Sequence, residues 1–207
     1  MRKLVIDCAT EGCSAALFDE TGALVAGTFE MLGRGHAERL VPMIAELLDK
    51  GRTGTIAVDT GPGSFTGIRV GLAAARALSL AWNAPLAGYE SLALVAAMAA
   101  AEYPGMDIDV AMTGGHGEWF VQSFDAGAAP LGALVSLKPE EAARRSGAPL
   151  VVGSQAEALA ALRGGGVVAR QMLPDARKFA LLPADALSAR VSPSYGRAPD
   201  ARLPARG

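Results

Sequence analysis

Asp59-Thr60-Gly61-Pro62-Gly63-Ser64-Phe65-Thr66-Gly67-Ile68-Arg69-Val70-Gly71 joins a strand end, a glycine turn and a helix start in one run, which is how an α/β fold builds the rim of a site. Gly61 and Gly63 allow positive φ or close backbone approach on either side of Pro62, whose own φ is fixed. Ser64 or Thr66 can cap the first turn of the helix. The unpaired N–H groups of such a helix start attract phosphate or carboxylate when a ligand can reach them. No Lys-Ser or Lys-Thr pair follows the glycines, so this is not a P-loop, and Gly67 falls one residue too late for a G-x-G-x-x-G fingerprint. The run reads first as a capped helix under a strand-end turn, with an anion site as the alternative.

The helix that follows, expected over Gly67 to Trp82, carries small residues on one stripe: Gly67, Gly71 and Ala75. Each interior glycine costs about 1 kcal/mol of helix propensity relative to alanine, so a close-packed neighbour is expected along that stripe. The neighbour is either the protein's own sheet or a partner helix. Ile68, Leu72, Leu78 and Trp82 add apolar area, while Arg69 and Arg76 lie on an adjoining face with Ala73, solvated or facing an acidic partner.

Working outward, Lys3 to Asp7, Ser14 to Phe18 and Leu24 to Phe29 read as three short strands, then a helix from His36 to Lys50 with Leu40, Met43, Ile44, Leu47 and Leu48 at helical spacing around Pro42. Thr55 to Val58 is a strand feeding the glycine run, Pro85 to Gly88 another, and Ser91 to Ala101 an apolar helix. After Tyr103-Pro104-Gly105 the order restarts: strands over Ile108 to Met112, Trp119 to Phe124 and Leu131 to Ser136, a helix over Pro139 to Arg145, a strand over Leu150 to Val152, a helix over Ser154 to Arg163 and a strand over Val167 to Ala169. A helix from Ala184 to Ala189 and an extended, proline-rich tail complete the chain, with Tyr195 placed to anchor the tail. Two lobes are implied, residues 1–102 and a smaller one over residues 103–207.

Two βββαβα-type lobes point to the actin, sugar-kinase and heat-shock ATPase (ASKHA) superfold, in which a hairpin beside an acidic strand end holds nucleotide phosphates. Asp7 occupies the acidic position and Thr10 could offer a hydroxyl, but the corresponding end of the second lobe reads Met112-Thr113-Gly114-Gly115. One carboxylate does not do the work of two, so Asp7 and Thr10 are expected to be a vestigial phosphate-loop position with structural roles.

The 207 residues carry a net charge of −2 with no basic run, which argues against strong direct nucleic-acid or membrane-surface binding. The N-terminus turns acidic at Asp7 after three apolar residues and so lacks a signal core, and the apolar run from Leu92 to Ala101 is about half a bilayer span. A cytoplasmic protein is expected. Cys8 and Cys13, with no second pair and no histidine cluster, read as free thiols.

Three segments, Ile6-Asp7-Cys8-Ala9-Thr10, His36-Ala37-Glu38-Arg39-Leu40-Val41-Pro42-Met43 and Gly61-Pro62-Gly63-Ser64-Phe65-Thr66-Gly67-Ile68-Arg69, together resemble the TsaB (YeaZ) family, as does Pro193-Ser194-Tyr195-Gly196-Arg197-Ala198-Pro199-Asp200. The resemblance implies a non-catalytic dimerisation subunit of the bacterial complex that makes N6-threonylcarbamoyladenosine at position 37 of tRNAs reading ANN codons. It implies TsaD, the transferase, as a heterodimer partner, TsaE as a further one, and a homodimer when alone. Carried onto this chain, the family's interface falls on the first two helices: His36, Leu40, Met43, Ile44, Leu47, Gly67, Ile68, Gly71, Leu72 and Ala75. No cofactor is implied. TsaD-type metal binding uses two histidines four residues apart, whereas His36 is followed at that spacing by Leu40, and His116 lies alone in a glycine turn, so no metal site and no catalytic residue is expected. The chain departs from the family at Thr113 to Glu118 and at Gly196. The competing readings are a small nucleotide-dependent kinase on the same fold and a standalone regulatory homodimer.

Overall fold

A computed structural model describes residues 1–196. Arg197 to Asp200, part of the resemblance above, and the expected tail to Gly207 lie outside the described residues. The first half runs β1 (Lys3–Asp7), β2 (Gly12–Phe18), β3 (Leu24–Met31), α1 (His36–Ala45), β4 (Thr55–Asp59), α2 (Phe65–Trp82), β5 (Leu86–Tyr89) and α3 (Ser91–Glu102). The second runs β6 (Ile108–Thr113), β7 (Trp119–Phe124), β8 (Val135–Leu137), α4 (Pro139–Arg145), β9 (Leu150–Val152), α5 (Ala156–Leu162) and β10 (Val168–Arg170).

Each half forms a five-stranded sheet of the same order, β3-β2-β1-β4-β5 and β8-β7-β6-β9-β10. In each, the first three strands are an antiparallel meander and the fourth joins the first in parallel across a helix, so the repeat read from the sequence is a repeat of topology. This is the ASKHA-type architecture. The helix α3 is apolar on every side, as Leu92, Leu94, Val95, Ala96, Ala97, Met98 and Ala99 are all buried, and it fills the space between the two sheets. Helices α1 and α2 cover the far face of the first sheet through Leu40, Met43, Ile44, Ile68, Leu72 and Ala75, and α4 and α5 cover the far face of the second.

Some boundaries differ from expectation for local reasons. The helix expected to reach Lys50 stops at Ala45, where the Glu46 N–H turns back to Pro42 O and Ile44 O. Asp49 and Lys50 then take left-handed conformations in a separate 3-10 turn, Leu48–Gly51. The third strand of the second lobe starts at Val135 because Pro130 and Gly132 interrupt the ladder, leaving only the bridge between Phe124 and Pro130. Ala184–Ala186 is a 3-10 turn rather than a longer helix. Residues 172–196, assigned by sequence to the second lobe, return to the first: Phe179 packs on Phe18 and Tyr89, the Ala176 N–H donates to Ser14 Oγ, and Ser188 bridges to Gly88. The tail closes a layer that the first lobe's own strands leave uncovered.

Candidate functional site

Ser64 is the residue that caps α2, its Oγ accepting from the Gly67 N–H at 3.2 Å. The glycines before and after it serve a backbone contact. A Cβ on Gly63 would lie 2.0 Å from Ala9 O, and one on Gly67 would lie 2.0 Å from Cys8 O, so the turn after β1 lies directly on the glycine run. That contact consumes donors an anion would need: Ser64 N–H donates to Ala9 O at 2.6 Å and Gly61 N–H to Asp59 Oδ1 at 2.7 Å. Thr66 is exposed on the first turn, and Pro62 is buried beside the Gly61 bend.

Between the lobes lies a cleft of about 640 Å³. The β1–β2 turn (Ala9, Thr10, Glu11), the glycine run (Pro62 to Phe65) and Tyr195 form one wall, and Met112 to His116, Phe120, Ser136 and Ser154 form the other. None of the described residues that line it is Lys or Arg, and Glu11 is its single carboxylate. Thr10 reaches the cleft, yet its Oγ1 accepts from the Gly12 N–H and its carbonyl oxygen is hydrogen-bonded by His36 Nε2.

Asp7 does not line the cleft. It is fully buried, and it sits against a second fully buried carboxyl that the sequence reading did not pair with it, Asp59. The parallel register of β1 and β4 sets Ile6 opposite Val58, so the next residue on each strand brings the acids together. The sequence signal was present in Leu4-Val5-Ile6-Asp7 and Ile56-Ala57-Val58-Asp59, two apolar strands of one sheet each ending in Asp. Ser91 Oγ donates to Asp59 at 2.7 and 2.9 Å, Tyr89 OH to Asp7 Oδ2 at 3.1 Å, and the Ala9 N–H to Asp7 Oδ1 at 3.3 Å. Burial pushes the Asp7 carboxyl well above the usual carboxylate range, reinforced by the charge of Asp59; burial also pushes Asp59 up, to about 6. The side-chain hydrogen bond between them raises Asp7 further and opposes the rise of Asp59. The pair ties β1, β4, β5 and α3 together beneath the cleft and presents no free carboxylate to it.

At the opposite end of the second lobe's first strand, another acid is also turned inward. Asp109 on β6 is buried, accepting from Ser123 Oγ at 2.5 Å and the Ala148 N–H at 2.8 Å. Thr113 is held by Ser154 Oγ and Gln155 Nε2. Gly196 lies against Phe120 and Pro62 with φ 61°, and Tyr195 stacks on Phe65 at 5.3 Å while accepting from Arg69 Nε at 3.1 Å. The tail is anchored where Tyr195 was expected to hold it.

The helix pair requires a correction. His36, Leu40, Met43, Ile44, Leu47, Gly67, Ile68, Gly71, Leu72 and Ala75 are all buried within their own lobe. The small-residue stripe faces the sheet: a Cβ on Gly71 would meet Cys8, Val58 and Ile6 at 3.6–3.9 Å. An amphipathic helix buries its apolar stripe first against the core it belongs to. The outward positions of α1 and α2 include Val41, 58% exposed, and Leu80, 86% exposed, together with the exposed Ala37, Ala45, Ala73, Ala77 and Ala81.

The family model described as TsaD, tRNA N6-adenosine threonylcarbamoyltransferase, matches residues 30–179. The tRNA threonylcarbamoyladenosine biosynthesis protein TsaB of Escherichia coli (strain K12) is 39% identical over 101 residues, covering 46% of this chain and 43% of that one. The chain thus matches under half the length of that curated relative. A solved structure named YeaZ from Pseudomonas aeruginosa is 25% identical with a TM-score of 0.72, over 87% of this chain and 89% of that one. Another, named as an uncharacterized protein with similarity to peptidase YEAZ from Pseudomonas aeruginosa, has a TM-score of 0.79 at 24% identity, over 95% and 99% of the two chains. No helix among the described residues is long and apolar enough to cross a membrane. The family match runs from the end of β3 to beyond β10, well over half of the chain, and the chain therefore belongs to the TsaD, tRNA N6-adenosine threonylcarbamoyltransferase, family and is similar within it to the proteins named TsaB and YeaZ.

Proposed function

We propose that this chain is a non-catalytic, cytoplasmic scaffold subunit in the N6-threonylcarbamoylation of adenosine 37 in tRNAs reading ANN codons. It binds a TsaD transferase through the outward faces of α1 and α2, TsaE joins the pair, and the same faces make a homodimer when the transferase is missing. What supports the absence of chemistry is the cleft: its described lining offers phosphates no cation and a metal ion no pair of carboxylates, and the two acids beneath it are committed to each other.

The observation that carries the partner role is the apolar side chain of Leu80, 86% exposed on the outward side of α2 among Ala73, Arg76, Ala77 and Ala81, with Val41 of α1 also 58% exposed. Such a face permits a second helix pair to approach closely around two larger anchors. Co-purification with the TsaD protein of the same cell tests it. Leu80→Asp and Val41→Asp, each folded by circular dichroism, are expected to lower capture of TsaD and self-association roughly tenfold or more. Undiminished capture by both would move the interface elsewhere.

A further inference from the structure

Cys8 and Cys13 flank the turn between β1 and β2, at the closed end of a hairpin whose last paired residues are Asp7 and Ser14. Their sulfur atoms are 3.3 Å apart and share a hydrogen bond. Both are buried in the apolar cluster between the first sheet and helices α1 and α2. A disulfide needs the sulfurs about 2 Å apart, so the distance to close is small, and the turn between the two residues lines the interlobe cleft.

The two thiols are unlike. The hydrogen bond with Cys8 lowers the pKa of Cys13, and the Arg39 guanidinium acts in the same direction against burial and the charge of Glu30. Cys8 is pushed up by that bond, by burial and by the charges of Cys13, Asp7 and Asp59. One sulfur is thereby set up to attack and the other to resolve.

We propose that Cys8 and Cys13 are an oxidation site, a dithiol that a small peroxide converts reversibly to an intramolecular disulfide. The Cys13 thiolate attacks one oxygen of hydrogen peroxide, the O–O bond breaks, and the departing hydroxide takes up a proton as water, leaving a sulfenic acid. The Cys8 sulfur then gives up its proton and attacks the Cys13 sulfur. The S–O bond breaks, and the second hydroxide leaves as water with that proton. Two thiols and one peroxide give one disulfide and two waters, the sulfurs losing the two electrons that the peroxide gains. A peroxide, small and uncharged, suits a buried pair where a bulky disulfide reagent does not. The product lies next to α2: the Cys8 carbonyl is the atom on which Gly67 sits, and Ala9 O accepts from the Ser64 cap.

The test uses the full chain, reduced, treated with hydrogen peroxide under native conditions, then denatured and alkylated with N-ethylmaleimide. The reduced protein is expected to take two labels, one for each of its cysteines. The oxidised protein is expected to take none, with a mass about 2 Da lower and both labels recovered after a thiol reductant. Cys8→Ser is expected to leave Cys13 as a sulfenic acid trapped by dimedone, and Cys13→Ser to slow oxidation of Cys8 roughly tenfold or more. Two labels retained by a natively folded, peroxide-treated wild type overturn the proposal, as do labels lost to added oxygen without the 2 Da loss; both are read on the wild type and depend on no variant folding.

Discussion

The carboxyl groups of Asp7 and Asp59 are hydrogen-bonded to each other at neighbouring ends of two parallel strands, both fully buried. A carboxyl whose pKa rises on folding binds its proton more tightly folded than unfolded. Stability is therefore lost as pH climbs from about 4, where unfolded carboxyls ionise, through the raised values. For Asp59 that window ends at about 6, and for Asp7 it extends further up. Asp7→Asn supplies a permanent N–H in place of the shared proton. It is expected to gain on the wild type by about 1–3 kcal/mol between pH 5 and pH 8, read as a difference in thermal midpoint that widens with pH. A difference equal at both pH values would mean that the pair does not titrate.

Gly67 and Gly71 share one helix face but not one fate. A methyl on Gly67 meets a backbone carbonyl at 2.0 Å, which cannot yield without parting α2 from β1, whereas one on Gly71 meets side chains at ordinary contact distances. Gly67→Ala is expected to destabilise by roughly 3 kcal/mol or more. Gly71→Ala is expected to be neutral or stabilising by up to about 1 kcal/mol, the helix propensity it recovers. Urea midpoints of the two variants would distinguish this from the equal effects of a stripe facing solvent. Gly71→Leu is then a core-overpacking change and not a clean probe of any interface.

A phosphate needs cations or free amides, and the described cleft wall offers neither Lys nor Arg and has spent several of its amides. Isothermal titration with ATP is expected to show no binding tighter than about 1 mM, and the purified chain to have no ATPase, peptidase or transferase turnover. Turnover surviving purification and lost in Asp7→Ala would contradict both the buried geometry and the scaffold reading.

Tyr195 holds the end of the described chain through one ring contact and one hydrogen bond, to Phe65 and Arg69. Tyr195→Ala is expected to cost about 0.5–1.5 kcal/mol and to hasten proteolytic cleavage after Ser188 while leaving the sheets intact. Unchanged cleavage would mean that Arg76, which donates to Val191 O at 2.8 Å, and the Ser194 N–H, which donates to Thr60 O at 2.7 Å, hold the segment without Tyr195.

Hydrophobic periodicity made the element order legible in both lobes, because each strand and helix had to bury one face within a short, punctuated stretch. Register was not legible in the same way. That Asp59 would meet Asp7 follows from which strand lies beside which, a property of the whole sheet, so the single acid counted from the sequence was in fact one of a pair. The orientation of the glycine stripe was open for a similar reason: small residues announce a close approach without saying to what. The sequence likewise could not show that the segment after β10 leaves its own lobe, since Phe179 and Tyr195 find their partners 90 or more residues away.

Because Gly67 is seated on the carbonyl of Cys8, α2 has one rotational setting about its axis. Turning it by even one residue would drive Ile68 or Thr66 into that carbonyl. Which residues the helix shows to the outside is therefore decided by a backbone contact in the interior, and the direction in which Leu80 is presented is fixed within the chain itself.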